Sequence, residues 1–475
     1  MRTSNSSFPI LVSVFFFWGF VAASNDILIP VFKEKLNLEQ WQSQMISFAF
    51  YVAYTVGSLI YVLLSKWLKK DILNTLGYKN GIVTGLCISA AGTLLFYPAA
   101  QSASFALMIS GLFIVGLGFS LQQTAANPLV INIGDTDKGA QRLSLAGGIN
   151  NVGTTIGPLI VSFAIFGSVA GGSGLNSLEA IKTPYLILGA AFLAVAVFFK
   201  FSSLPNVIEN VHQENTPFTS EKRNALSYPQ LWMGMIAIFL YVGVEVSTAS
   251  NLPEFMKHEL HTETSDIAPY VSLFWASLMI GRWTGAVEAF SIKMNIKKYL
   301  RFLMPYLAFG VFLLANKIAG KTLTPFYVYA LVIVVMIAGE IISKGNPAKQ
   351  LLIFSLLGIT ALITGMLSGG LIGVYAFISV GLFCSTLWPC IFTLAIAGLG
   401  RQTNQGSSFL IMMIMGGGMI SLLQGWLAGE HLLGSQYSYL VGVVCFLYLA
   451  YYGWKAQHIL KAQGIDYDKK AETAH

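Results

Sequence analysis

Two carboxylates stand inside stretches of this chain that otherwise carry almost no charge. Asp26 lies in Trp18-Gly19-Phe20-Val21-Ala22-Ala23-Ser24-Asn25-Asp26-Ile27-Leu28-Ile29-Pro30. Glu245 lies in Tyr241-Val242-Gly243-Val244-Glu245-Val246-Ser247-Thr248-Ala249-Ser250-Asn251. Burial favours the protonated form of a carboxylate, whereas a partner or a bound cation favours the charged form. A group of this kind can exchange a proton, ligate a cation, or accept hydrogen bonds from a polyhydroxylated ligand. The structural alternatives are a cap at the outer end of a helix for Asp26 and a hydrogen bond to a neighbouring helix for Glu245. Glu288 and Glu340 fall at expected cytoplasmic helix ends, where they would be solvated or paired with nearby basic residues.

Neutral polar residues gather in the same kind of stretch. Gln122-Gln123-Thr124-Ala125-Ala126-Asn127-Pro128, Asn150-Asn151 and Gln424 each interrupt an apolar run. Amides carry both donors and acceptors, which suits a ligand rich in hydroxyls. They serve equally as glue between membrane helices, worth about 1 kcal/mol each. Trp388-Pro389 joins an indole, whose face can pack on a sugar ring or simply fill a helix interface, to a residue that frees a backbone carbonyl. Gly153-x-x-x-Gly157-Pro158 has the small-residue spacing of helix packing, and it also resembles a motif of drug antiporters.

The elements that must carry these groups are membrane helices. Of 475 residues, 55% are hydrophobic and 10% charged, with 46 Gly and 33 Phe; mean hydropathy is +0.67. A soluble domain is about a quarter charged, so a soluble enzyme, a disordered chain and a nucleic-acid binder are excluded. A helix crossing needs about 20 apolar residues. Such runs fall near 8–32, 42–65, 79–98, 103–133, 139–167 and 183–203, and again near 230–256, 266–290, 298–316, 324–342, 350–368, 370–397, 406–429 and 437–454. The first has no small-residue cleavage site after it and is expected to be retained.

The basic residues sort by side. With the N-terminus in the cytoplasm, Lys33, Lys35, Lys182, Lys257, Lys317 and Lys321 face outward, and the rest of the 28 face inward. This positive-inside bias supports the even helix count and accounts for the net charge of +7 without nucleic acid. The sequence predicts an all-α polytopic membrane protein of about 14 helices: residues 1–203 as a six-helix bundle, 204–229 as a cytoplasmic linker, 230–454 as the second bundle and 455–475 as a cytoplasmic tail. Two six-helix halves describe a major-facilitator architecture. The surplus pair, 298–342, is expected to be an inserted, lipid-facing hairpin with no part in transport. Cys87, Cys384, Cys390 and Cys445 sit in apolar runs with no disulfide or metal spacing. No phosphate-binding loop is present, so ATP-driven transport has no support.

Read in order, Asn25-Asp26-Ile27-Leu28-Ile29-Pro30, Ala49-Phe50-Tyr51, Gly77-Tyr78-Lys79-Asn80-Gly81-Ile82, Thr124-Ala125-Ala126-Asn127-Pro128, Asn150, Tyr241-Val242-Gly243, Gly281-Arg282, Pro389 with Ile391-Phe392, and Gly406-Ser407-Ser408-Phe409 with Gly416-Gly417-Gly418 resemble the fucose–galactose–glucose symporter family of the major facilitator superfamily. The resemblance implies a sugar importer working by alternating access. Asp26 matches an acid that handles proton and sugar in the fucose branch. Gln123 replaces that branch's second acid, and Trp388 replaces a Tyr. Glu245, Gln123 and Gln424-Gly425 resemble the glucose/galactose branch. Asn150 matches an amide near the sugar.

The reading expected from the sequence is thus a monomeric hexose or deoxyhexose importer of the cell inner membrane, with both termini cytoplasmic. It is not an enzyme and needs no cofactor beyond a coupling ion, H+ or Na+. Asp26 and Glu245 couple the cation, and Asn25, Gln123, Asn127, Asn150, Glu245, Trp388 and Gln424 line the sugar site. The alternative is a drug or metabolite antiporter, for which the amide-rich cavity is a poor match.

Overall fold

The structure, a computed structural model, describes residues 8–21, 40–133, 138–166, 179–204, 206, 224–261, 264–289, 294–429 and 431–468. In a bilayer every backbone polar group must find an internal partner, and a helix provides this within one segment. Among the described residues, helices lie at the apolar runs from 42–65 onward, and residues 8–21 of the first run are helical. Among the described residues, ten helices are long and apolar enough to cross a membrane, and Phe8–Val21 and Tyr185–Phe201 are shorter apolar helices. The contacts divide the chain into two compact units. The first is residues 1–134, 149–214 and 401–412; the second is 135–148, 215–400 and 413–475.

The first unit contains α1 (Phe8–Val21), α2 (Gln40–Trp67), α3 (Ile72–Leu76), α4 (Tyr78–Leu94), α5 (Phe96–Gln101), α6 (Phe105–Asn132), most of α7 (Gly139–Phe166) and α8 (Glu179–Phe201). α4 packs on α6 and α8, and α2 packs on α6. Glycines set the closest of these approaches. A Cβ on Gly92 would lie 2.7 Å from the Gly111 carbonyl oxygen, and one on Gly85 would lie 2.7 Å from that of Gly118. Side chains there would force α4 and α6 apart, as small-residue interfaces in membranes predict. Asp71 caps α3 by accepting from the Asn74 amide at 3.0 Å and also accepts from the Tyr61 hydroxyl. Asn404 completes this knot. Its Nδ2 donates to Asp71 at 3.0 Å and to Asn74 at 2.9 Å, and its Oδ1 accepts from the Tyr78 hydroxyl.

In the second unit α9 (Pro229–Leu260) is the central rod. α10 (Thr264–Ala286) follows, then the hairpin α11 (Met294–Ile318) and α12 (Tyr329–Ser343), α13 (Pro347–Ser368), and a span broken into α14 (Gly370–Cys384) and α15 (Leu387–Ile396). Another broken span gives α16 (Thr403–Met412), which packs in the first unit, and α17 (Gly416–Leu427), which runs beside α9; α18 (Leu440–Ala462) closes the chain. α13 packs on α14 and α18, and α10 packs on α14. That repeats the first unit's scheme, third helix on fourth and sixth, second on fourth, provided α11 and α12 are set aside.

The tail is fastened to α13. Asp468 pairs with Lys349 at 2.7 Å and accepts from Asn346 at 3.0 Å and Gln457 at 2.7 Å. The Lys349 ammonium hydrogen bond, with these amides, holds the Asp468 carboxyl below the usual carboxylate range.

Candidate functional site

The second unit builds its site around a broken helix. Pro389 has no N–H, so the Ser385 carbonyl four residues earlier loses its helical donor. The chain breaks at Ser385–Thr386, and the Arg282 Nε of α10 donates to that carbonyl at 3.1 Å. Gly281 allows the approach, because a Cβ there would meet the Ser385 Cβ at 2.5 Å. The guanidinium acts electrostatically on Glu245 of α9, the acid singled out by its apolar surroundings. Tyr241, one turn earlier on α9, donates its hydroxyl to the same carboxylate. Its ring centroid lies 6.2 Å from that of Trp388, which in turn lies 5.8 Å from Phe392. Glu245, Trp388, Tyr241 and Arg282 therefore form one cluster. Glu245 keeps part of its surface accessible although it sits within a membrane span, as a group lining a polar cavity would.

Gln424 stands on α17 one turn past Ile420 and Ser421, which face α9 at Gly243 and Ser250. It is fully buried, and both its Oε1 and Nε2 lack a hydrogen-bond partner. The Ser247 and Thr248 hydroxyls of α9 are buried and unpartnered as well. An unmet buried polar group costs about 1–3 kcal/mol, and such groups call for a water, ion or ligand.

The first unit separates two neighbouring glutamines. Gln122 is spent on structure: its Oε1 accepts from the Trp18 indole at 2.6 Å and its Nε2 donates to Ser89 at 2.9 Å. Gln123 is partly accessible, with its Nε2 donating to the Tyr54 hydroxyl at 3.0 Å. Asn127 is one turn further along the same face of α6, 2% exposed, with its Nδ2 unpartnered. Asn150 uses its Nδ2 to hold the Phe15 carbonyl of α1 at 2.8 Å. Gly153, the first glycine of the GxxxGP motif, packs against α1, where a Cβ would come 2.8 Å from the Phe20 nitrogen. That glycine is accounted for by helix packing. Asn25 and Asp26 lie outside the described residues.

Sequence reasoning missed Arg282, which it counted with the cytoplasmic basic residues. It is instead partly buried and turned to the broken span. The available signal was its place directly after the apolar Leu278-Met279-Ile280-Gly281. Tyr241 and Tyr54 were missed as partners because a tyrosine in an apolar run looks like packing. Glu340 does not stand free at a helix end: it accepts from the Gln350 Nε2 at 2.7 Å. Among the described residues no cluster of His, Cys, Asp and Glu could hold a metal ion, and the four cysteines are free thiols.

The fold is that of a multi-pass membrane protein. Residues 8–316 match the Major Facilitator Superfamily. The glucose/galactose transporter of Brucella abortus biovar 1 (strain 9-941) is 33% identical over 447 residues, covering 93% of this chain and 92% of that protein. The L-fucose-proton symporter of Escherichia coli (strain K12) is 27% identical, covering 89% of this chain and 86% of its own. The crystal structure of the transporter FucP in the outward conformation aligns with a TM-score of 0.71 at 25% identity, covering 94% of this chain and 98% of that one. The chain belongs to the Major Facilitator Superfamily and, within it, to the fucose–galactose–glucose symporter family. It is not an enzyme.

Proposed function

We propose that the protein imports a monosaccharide (a hexose or deoxyhexose) by cation-coupled symport and alternating access. The observation that carries this reading is the Glu245 cluster, an acid in a membrane span that accepts from the Tyr241 hydroxyl and feels the Arg282 guanidinium, with the Trp388 indole beside Tyr241. The names of the sugar-transporting relatives support the substrate class. The coupling ion is a proton. A sodium ion needs several oxygen ligands, whereas Tyr241 donates to Glu245 and Arg282 brings a positive charge to it. Glu245 binds the proton, with Arg282 as counter-charge. Asp26 is the second cation-coupling residue, and Asn25 contacts the sugar. Gln123, Asn127, Asn150, Trp388 and Gln424 bind the sugar, the orphaned amides of Asn127 and Gln424 supplying unspent donors and acceptors.

The packing scheme supports the domain reading: residues 1–203 and 230–454 as two halves, 204–229 as a cytoplasmic linker, 298–342 as an inserted hairpin and 455–475 as a tail, with about 14 crossings. The protein works as a monomer in the cell inner membrane; the charge bias supports cytoplasmic placement of both termini. Uptake into proteoliposomes tests the reading. With a panel of hexoses and L-fucose, a proton gradient should drive accumulation that a protonophore abolishes. Accumulation that needs only a sodium gradient and survives the protonophore would overturn the proton assignment. Dye efflux indifferent to every sugar would overturn the sugar-import reading in favour of an antiporter.

A further inference from the structure

The hairpin α11–α12 reaches deeper than a lipid-facing pair needs to. Its outer surface is apolar and bare, with Tyr299 and Leu331 more than two-thirds exposed. Its inner face is tied to the bundle by polar contacts. The Tyr329 hydroxyl shares a hydrogen bond with Ser277 of α10 at 2.7 Å, and the Tyr375 hydroxyl of α14 donates to the Pro325 carbonyl. At the far end of α12, Glu340 accepts from Gln350 of α13.

Four segments meet beside that carboxylate. A Cβ on Gly285 of α10 would lie 3.2 Å from the Ser144 Oγ of α7, 3.3 Å from the Glu340 Oε1 and 3.3 Å from the Thr386 Cγ2 at the helix break. Just past α12, Gly345 offers its carbonyl to the Gln141 Nε2 at 2.9 Å. Gln141 and Ser144 are one turn apart, so one face of the start of α7 rests on the turn that follows α12 and on α10, with Glu340 of the last turn of α12 beside Ser144. The Ser144 hydroxyl also donates to the Arg282 carbonyl at 3.3 Å, and the Trp283 indole donates to the Gly148 carbonyl at 3.2 Å.

We propose that the hairpin is a docking block for the start of α7, and that Glu340 is the positioning residue that sets how firmly this start is held. Residues 139–148 of α7 belong to the second unit and residues 149–166 to the first. Alternating access rocks one bundle against the other. A single rod shared in this way must be released from its dock and returned in each cycle. The hairpin then governs the rate of reorientation and leaves sugar affinity alone.

The test is hydrogen exchange of the full-length protein in lipid nanodiscs, paired with uptake kinetics. Glu340→Ala should speed exchange of the amides of residues 143–148 several-fold and leave 150–155 unchanged. Glu340→Gln keeps an acceptor for Gln350 and should fall between it and the native protein. The maximal uptake rate should change with no shift in half-saturation. Leu331→Ala, on the bare face, should alter neither reading. Native exchange over 143–148 in folded Glu340→Ala overturns the proposal, as does equal loosening by Leu331→Ala. If Glu340→Ala does not accumulate in the membrane, Gln141→Ala puts the same question. The exchange measurement needs no sugar, so its failure is distinct from failure of the symport reading.

Discussion

Replacing Glu245 by Gln separates coupling from carriage. The substitution keeps the shape and an acceptor for the Tyr241 hydroxyl, but it deletes the charge that answers Arg282. Leaving a charge without its counter-charge costs about 1–3 kcal/mol, and Glu245 and Arg282 are both partly accessible. Here the cost should sit at the low end, because Arg282 retains the Ser385 carbonyl. Glu245→Gln protein should therefore reach the membrane. One charge moved across 100 mV is worth about 2.3 kcal/mol, and about 1.4 kcal/mol is tenfold in a ratio. One proton per sugar would thus sustain a gradient of roughly fifty-fold at that potential. In Glu245→Gln the ratio should fall to about one, while exchange of labelled for unlabelled sugar continues. The assay is proteoliposome accumulation at an imposed potential beside counterflow in the same vesicles. Accumulation by Glu245→Gln at the native ratio would refute the role of Glu245.

Four further outcomes are expected. Asp26→Asn should lose accumulation while expression holds, and native accumulation would remove Asp26 from the coupling pair. Pro389→Ala restores an N–H to compete with Arg282 for the Ser385 carbonyl; it should raise the thermal unfolding midpoint and slow uptake, and unchanged uptake would deny the break a role. Asn404→Ala loses three side-chain hydrogen bonds, one to a charged group; at about 0.5–1.5 kcal/mol each, or more for the charged one, the loss is roughly 2–4 kcal/mol, and an unshifted midpoint would contradict it. Asp468 is held below the usual carboxylate range by Lys349, so its fastening of the tail is present at neutral pH and lost as pH falls below about 4. Proteolysis near residues 463–468 should rise there, and Lys349→Met should give the same rise at neutral pH.

The helices were legible because the bilayer demands long apolar runs, and nothing else in a chain looks like α13 or α12. The surplus hairpin was legible too, as two apolar runs, 298–316 and 324–342, beyond the twelve of two six-helix halves, and α11 and α12 lie there. Its depth was not, because the sequence leaves Glu340 either solvated or paired with basic residues and does not show Gln350 and Gly285 beside it. Gln122 and Gln123 could not be told apart in sequence. Adjacent residues on a helix face about 100° apart, and only the neighbours Trp18 and Ser89 decide which amide is spent. Arg282 depended on Pro389, more than a hundred residues away, whose missing N–H creates the acceptor that draws the guanidinium inward.

That missing N–H has a mechanical side. α15 is a ten-residue piece, about 15 Å long, fastened at its start to another helix by a side chain. A continuous helix resists bending because each turn is bonded to the next. This span has a pivot instead, and the pin through it is the arginine that answers Glu245. A swing of about four degrees there carries the far end of α15 through roughly an ångström. Under the coupling role proposed for Glu245, the break acts as a lever with a short input arm, turning a change of charge at that carboxylate into a displacement several turns away.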